Sequence, residues 1–272
     1  MKDCLTMTKR YTIDRGINVG TVIFVLEGSV TEFDLLKRVF VDILGYQFEE
    51  LRRTKTSGFV LHGHNPSSRI VGINFKGNHL FNINSEERHE LFFRIYDELG
   101  IKPENSPIYF IYDRDVKSYG IDEVRTYVER YRDPYGTDEG NQGQLILSYP
   151  AVESYTVSCF RDKTHEIAYE LGKDLKTYAA QNSYTIQMLR NEGHIIHAAT
   201  EMESALSLYG IDAYNLDSLG QTLLELYDRE QQVYLTTQKF NLVSTLSFVL
   251  LELGIIKEIQ DVQDVSNMLI TI

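Results

Sequence analysis

The chain has 272 residues, of which 43% are hydrophobic, so it is long enough to bury a substantial core. Its formal net charge is −12, and residues 151–272 alone carry 8 Lys and Arg against 17 Asp and Glu. Because cationic side chains drive non-specific binding to nucleic acid by displacing counterions, this acidity argues against a protein that coats nucleic acid.

The composition also indicates the compartment. No run of about 18 apolar residues would cross a membrane, and the polar start MKDCLTM lacks the apolar segment of a signal peptide. Cys4 and Cys159 are too few for a disulfide framework and form no Cys-x-x-Cys pair. We therefore expect a cytoplasmic protein that makes no membrane contact.

Strands alternate with helices through the first half of the chain. Short apolar runs bounded by turn residues predict strands at residues 22–26, 58–62, 70–75, 107–112 and 144–149. Capped, periodic segments predict helices at residues 31–44, 85–99 and 121–132, and a further helix that Pro150 opens. This alternation predicts an α/β fold with a mostly parallel sheet and helices on both faces.

The pattern changes after about residue 151. Apolar residues at three- and four-residue spacing predict helices alone at residues 167–178, 186–199, 216–226 and 240–253. We therefore divide the chain into residues 1–158, which would carry any catalytic site, and an all-helical region, residues 159–272, for assembly or docking.

Acidic residues follow two of the apolar strands. Glu27 ends the run VIFVLE, and Asp113 and Asp115 end the run IYFIYDRD. The carboxyl ends of parallel strands form the ligand-binding edge of such a sheet, and residues two apart on an extended segment point the same way. Together these acids predict a site for a hard divalent cation such as Mg2+, which would neutralise phosphate oxygens.

An apolar strand followed by Glu27-Gly28, a helix, and a later apolar strand followed by Asp113-x-Asp115 resembles the TOPRIM domain of topoisomerases, primases and OLD-type nucleases. The resemblance covers about residues 20–155. It implies that Glu27 is a general acid or base and that the two aspartates hold Mg2+ or Mn2+. Gly28, which has no Cβ, would allow close approach of a phosphate or a tight turn.

The segments LEGSVTE, YDRDV and SYPAVES are most similar to the stand-alone TOPRIM nucleases of bacterial anti-phage defence, namely the RloB-like group and AriB, the effector of the PARIS system. This similarity makes Glu153 and Glu32 further candidate metal ligands. Glu32 also lies near the start of a predicted helix, where an acid favours the helix dipole.

The same resemblance implies a toxic endonuclease that acts in abortive infection. It implies cleavage of nucleic acid, with RNA such as tRNA favoured over DNA, and control by an ABC-type ATPase partner similar to AriA. It also implies a homodimer. The chain has no phosphate-binding loop of its own, so another protein would supply any ATPase activity.

Basic residues near the predicted site are the candidates for contacts with a nucleic-acid backbone, although a solvated surface is an equally good interpretation. They are Lys37, Arg38, Arg52, Arg53, Lys55, Arg114 and Lys117.

The histidine pairs His62/His64 and His194/His197 have spacings that would allow a shared metal ion. We interpret them as packing or surface residues, because we identify no acid or cysteine ligand at a supporting spacing.

Two other functions fit the same acids. In a glycosyl- or nucleotidyl-transferase, Asp113 and Asp115 would hold a metal-bound nucleotide, but Glu27-Gly28 at an earlier strand end argues against this class. In a non-catalytic scaffold the acids would be structural.

Overall fold

A seven-stranded mixed sheet forms the centre of the protein in the computed structural model. The structure describes residues 11–53, 56–75, 90, 92–93, 95–97, 100–114, 116–117, 120–136, 142–211 and 219–259. The strands of this sheet are β2 (Thr21–Leu26), β3 (Gln47–Arg53), β4 (Thr56–His62), β5 (Arg69–Phe75), β6 (Ile108–Asp113), β7 (Arg132–Asp133) and β8 (Gly143–Ser148).

The strand order is β3-β4-β5-β2-β6-β8-β7. The four central strands β5, β2, β6 and β8 are parallel, whereas β3, β4 and β7 pair antiparallel at the two edges. The predicted α/β class with helices flanking the sheet is confirmed, and the sheet is mixed. β3 and β4 pair antiparallel because only two residues separate them, whereas parallel pairing needs a longer crossover.

Seven α-helices occur in the described part of the chain. They are α1 (Thr31–Leu36), α2 (Ile121–Arg130), α3 (Glu153–Ser158), α4 (Gly172–Gln181), α5 (Glu192–Tyr209), α6 (Leu219–Thr237) and α7 (Leu246–Glu252). A π-helical segment, Lys37–Ile43, continues α1, and the short 3-10 helices are Pro103–Asn105, Thr164–Glu166 and Ile186–Met188. Most of the predicted helix at residues 85–99 lies outside the described residues, and its described positions 90, 92–93 and 95–97 are helical.

The central strands are apolar because both faces of the sheet are covered. All five residues from Val22 to Leu26 are buried, and Phe24 stacks on Tyr109 with ring centroids 5.6 Å apart. Burial of side chains of this size contributes roughly 1.5–3 kcal/mol each. The core of the sheet therefore holds the carboxyl ends of β2 and β6 side by side.

Two predictions for the second half of the chain need correction. Residues 159–272 are not all helical: β9 (Ala168–Tyr169), β10 (Phe240–Asn241) and β11 (Ile256–Glu258) lie there. β9 pairs with β10, a contact about 70 residues apart in sequence that no local periodicity can predict. In addition, the helix after β8 begins at Glu153 and not at Pro150, whose preceding peptide bond is cis.

The two predicted regions share one hydrophobic core. Buried residues from the sheet and from helices α5, α6 and α7 belong to the same cluster. β1 (Tyr11–Ile13) pairs antiparallel with β11, and Tyr149 forms a bridge with Val243. The functional division at residue 158 stays a prediction. Within the described residues, none of the helices has the length and apolar character needed to cross a bilayer.

A buried polar group connects α5, α6 and β10. Glu230 is fully buried on α6, and it accepts hydrogen bonds from the Tyr209 hydroxyl and from the Asn241 N–H, the latter at 3.0 Å. The Asn241 side chain in turn donates to the Tyr209 hydroxyl at 2.7 Å. Burial raises the pKa of Glu230 to about 7, because the ionised carboxylate loses its hydration.

This buried carboxyl predicts a pH-dependent stability. Folded Glu230 keeps its proton up to about pH 7, whereas the unfolded chain releases it near the ordinary value of 4.5. The unfolding free energy should therefore fall as pH rises from 4.5 to 7, by about 3 kcal/mol from this group. Urea unfolding across this range should show a shallower fall in Glu230→Gln, whereas Glu225→Gln, an exposed site on the same helix, is the matched control. Equal pH profiles for Glu230→Gln and wild type would contradict the assignment.

Candidate functional site

Four carboxylates meet at the carboxyl edge of the parallel strands. Glu27 directly follows β2, Asp113 is the last residue of β6, and Glu153 is the first residue of the helix that follows β8. Because β2, β6 and β8 are neighbours in this order, their ends bring these acids together. Glu32, in the first turn of α1, is the fourth acid and is buried.

Backbone N–H groups orient three of the acids. The Asp113 N–H donates to Glu27 Oε2 at 2.9 Å, and the Val152 N–H donates to Asp113 Oδ1 at 2.8 Å. The Gly28 N–H donates to Glu32 Oε1 at 3.2 Å. The strand ends thus hold the carboxylates in place through main-chain atoms, whose positions the sheet determines.

The proximity of the four acids affects the pKa of Asp113 and of Glu153. Burial raises the pKa of Asp113 well above its ordinary value, and the negative charges of Glu32, Glu153 and Glu27 raise it further. Burial also raises the pKa of Glu153, while Lys176, whose ammonium lies 3.5 Å from Glu153 Oε1, opposes that rise. Carboxylates that repel one another in this way gain stability from a bound cation.

Gly28 allows the turn between β2 and α1 to bring Glu32 back over the strand end. A Cβ at this position would overlap the Glu32 carboxylate. Any larger residue would therefore displace Glu32 from its hydrogen bond with the Gly28 N–H, so the glycine positions a neighbouring acid in addition to making the turn.

Glu27, Glu32 and Asp113 line an open cleft of about 560 Å³, and Glu153 lies next to it, close enough for its charge to raise the pKa of Asp113. Three lysines line the same cleft: Lys117, which follows β6, and Lys173 and Lys176, which lie one turn apart on α4. Only Lys117 was predicted from the sequence. Lys173 and Lys176 were missed because no local motif connects α4 with strands that end about 25 to 150 residues earlier.

Of the other predicted basic residues, Arg114 also lines this cleft, whereas Lys37 and Arg38 do not. Lys37 and Arg38 line a separate pocket of about 390 Å³, where the Lys37 ammonium lies 4.3 Å from the centre of the Phe48 ring. Arg38 donates to the carbonyl oxygens of Ile186 and Gln187 and pairs with Asp42 at 2.6 Å. The Lys37 and Arg38 side chains therefore make their contacts with other residues of the protein.

The remaining predicted basic residues differ in their surroundings. Arg114 is buried, donates to Gln231 Oε1 at 3.4 Å, and lies with its guanidinium carbon 5.6 Å from the centre of the Phe240 ring. Its burial argues against direct contact with a nucleic-acid backbone. Arg52 and Arg53 belong to β3, and Lys55 lies outside the described residues. Asp115, the second acid of the Asp-x-Asp motif, also lies outside them.

The acids of the cleft are of the type that a hard divalent cation prefers, although no three of the described acids place their oxygens within 4.8 Å of one another. Glu27, Glu32, Asp113 and Glu153 offer carboxylate oxygens, the ligands that Mg2+ and Mn2+ prefer. Glu153 Oε2 is buried and has no hydrogen-bond partner among the described residues. A cation would satisfy this atom and relieve the repulsion at Asp113.

A second group of metal-ligating side chains lies elsewhere. Asp162, His197 and Glu201 place one ligand atom each within 4.8 Å of one another, and they could hold a metal ion. Among the described residues this is the one such group of three. The interpretation of His197 as lacking a supporting acid was wrong, because Glu201 follows it by four residues on α5. That spacing was the signal in the sequence.

No family model matches the chain, and searches of curated proteins and of solved structures return no match. The function must therefore be inferred from the site itself and from the motifs that form it.

The repulsion among the acids can be tested directly. Glu32→Gln should lower the pKa of Asp113, because the amide removes the charge that contributes most to the repulsion. Carbon-13 NMR titration of the carboxyl groups measures this shift. Asp34→Asn, an exposed acid on the same helix, is the matched control and should leave Asp113 unchanged. An Asp113 titration that is the same in Glu32→Gln and wild type would show that the two carboxylates do not interact.

Proposed function

We propose that the protein is a metal-dependent nuclease of the TOPRIM type. The observation that supports the proposal is the cleft at the carboxyl edge of the parallel strands, which Glu27, Glu32 and Asp113 line and where the charge of Glu153 also acts on Asp113. Phosphodiester hydrolysis requires a cation to neutralise the phosphate and a group to move protons. Clustered carboxylates would supply both requirements.

The residues of the cleft take distinct roles in this proposal. Asp113, with Asp115 two positions later, would hold Mg2+ or Mn2+, and Glu153 and Glu32 would complete the set of oxygen ligands. The bound cation would orient the scissile phosphate and offset its negative charge. Glu27 is held by the Asp113 N–H next to the proposed metal ligands. From there it would transfer a proton to or from the reacting oxygens.

The three lysines would position the substrate. Lys117, Lys173 and Lys176 line the cleft beside the acids, so a phosphodiester backbone that enters would meet positive charge on this side. A local basic patch of this kind reconciles a net charge of −12 with a polyanionic substrate. The proposed contact surface is therefore α4 and the segment after β6, in place of Lys37 and Arg38 on the π-helical segment.

The biological setting rests on the resemblance to defence nucleases. We propose RNA, tRNA in particular, as the favoured substrate, and an ABC-type ATPase as the partner that controls the nuclease. A homodimer and a role as toxic effector in abortive infection belong to the same proposal. The C-terminal region, with its excess of acidic residues, would be the surface that an inhibiting partner contacts.

The first test is cleavage by the purified protein. With Mg2+ or Mn2+ present, wild type should cut mixed tRNA or single- or double-stranded DNA, and EDTA should stop the reaction. Glu27→Gln should lower the rate by about 10²–10⁴-fold, the usual contribution of a general acid or base. Asp34→Asn, whose side chain is exposed and lines the separate pocket, should cut at the wild-type rate.

Each outcome of this test distinguishes a function. If nothing is cut, even after co-production with an ABC-type ATPase and phage challenge, the nuclease proposal fails. Binding of nucleotide sugars in a thermal-shift screen would then favour a transferase. If cutting persists at full rate in Glu27→Gln, the activity belongs to another site.

The lysines predict a salt-dependent phenotype. Lys173→Met should weaken binding of a single-stranded substrate and reduce the slope of log K against log salt by about 0.7, the value for one lost phosphate contact. Lys37→Met is the matched control, because Lys37 lies over Phe48 in the separate pocket. Filter binding or fluorescence anisotropy at several salt concentrations measures the slope. Equal slopes for Lys173→Met and wild type would remove α4 from the proposed substrate path.

A further inference from the structure

The segment after α3 meets α5 at a group of side chains that the nuclease proposal does not use. Asp162 lies in this segment, and His197 and Glu201 lie one turn apart on α5. The His197 Nε2 and Asp162 Oδ1 atoms are 2.9 Å apart. The group belongs to neither the carboxylate cleft nor the pocket beside α1.

Both ring nitrogens of His197 face oxygen acceptors. Nδ1 lies 2.7 Å from the carbonyl oxygen of Ser158, which accepts an N–H, so this contact requires a proton on Nδ1. Nε2 faces the Asp162 carboxylate. The contact between these two atoms requires either a proton on Nε2 or a metal ion that both atoms bind. In the usual orientation of a metal-binding histidine, one ring nitrogen binds the metal and the other donates its N–H to a group such as a backbone carbonyl.

Glu201 supplies a buried negative charge to the same group. Its residue is 7% exposed, and its Oε2 accepts hydrogen bonds from the Thr164 N–H at 2.8 Å and from the Thr164 hydroxyl at 3.1 Å. No lysine or arginine pairs with it in the described part of the chain. Burial of a carboxylate lowers stability when only neutral donors contact one of its oxygens, unless a cation lies near the other oxygen.

A comparison within the chain shows what distinguishes this group. His62 Nε2 also lies 2.9 Å from a carboxylate oxygen, that of Glu49, but both side chains are exposed on the β3–β4 hairpin, and none of the described residues joins them as a third ligand. That pair is an ordinary surface contact. The buried Glu201 and the oriented His197 make the α5 group different.

We propose that Asp162, His197 and Glu201 bind one first-row transition-metal dication of the Zn2+ type. An imidazole together with two carboxylates favours Zn2+ or a similar ion over Mg2+, which prefers oxygen ligands alone. Three protein ligands leave one tetrahedral position for water. The inference does not depend on the nuclease proposal.

The site would act as a clamp on the helix that carries Glu153. Asp162 and the Ser158 carbonyl both lie at the carboxyl end of α3, and Glu153 is the first residue of that six-residue helix. The proposed metal site would therefore lie beyond the end of α3 that is opposite Glu153. By joining the end of α3 to α5 it would restrict movement of α3 relative to the helical region, and with it the position of one acid of the cleft.

Metal binding by the purified chain tests the proposal. Equilibrium dialysis with Zn2+ in an Asp113→Asn background, which weakens the cleft as a competing site, should give one ion per chain. Asp162→Asn should weaken binding at least about tenfold. Because the Asp162 side chain is 81% exposed, this variant should fold normally. His62→Ala, from the surface pair, should bind Zn2+ as tightly as the parent protein.

Thermal unfolding gives a second readout. Zn2+ should raise the unfolding temperature of the parent and of His62→Ala, because an ion that binds only the folded chain stabilises it. It should not raise that of Asp162→Asn or of His197→Gln. If His197→Gln does not fold, Asp162→Asn decides alone. Absence of bound Zn2+, or equal affinity in Asp162→Asn and the parent, overturns the proposal whatever the result of the cleavage assay.

Discussion

Mutual repulsion among carboxylates is the constraint around which the candidate site is built. Asp113 lies partly buried among Glu32, Glu153 and Glu27, and their charges add to desolvation in raising its pKa. An arrangement like this lowers stability unless something offsets the charge. Its presence at the carboxyl edge of a parallel sheet, where ligands bind, is what the proposed bound cation would explain.

The sheet can tolerate this loss of stability because the rest of it is apolar and well packed. The buried residues of β2 and β6 fix the two strand ends, and main-chain N–H groups then orient Glu27 and Asp113. The side chain of Asn74, on β5, adds donors to the carbonyl oxygens of Leu26 and Glu27. Backbone atoms thus hold the acids in position. The arrangement does not require the acidic side chains to attract one another.

Besides the docking surface that we propose, the helical region supplies residues to the site itself. α4 supplies Lys173 and Lys176 to the cleft, and Arg114 crosses from the end of β6 into the interior of the helical region, against Gln231 and Phe240. A change in the packing of these helices would therefore reach both the positive side of the cleft and the segment beside Asp113. Control of activity by a partner that contacts the helical region has a physical route in these contacts.

The sequence by itself determined the elements and the strand-end acids. Apolar runs and capped periodic segments predicted β2, β6, β8, α1 and α2, and parallel topology alone implied that Glu27 and Asp113 would converge. Only the tertiary structure decided that α4 brings Lys173 and Lys176 to the cleft and that Asp162 meets His197. The physical reason is that periodicity and capping are local, acting over a few residues. These contacts depend instead on how separate helices pack on a common core.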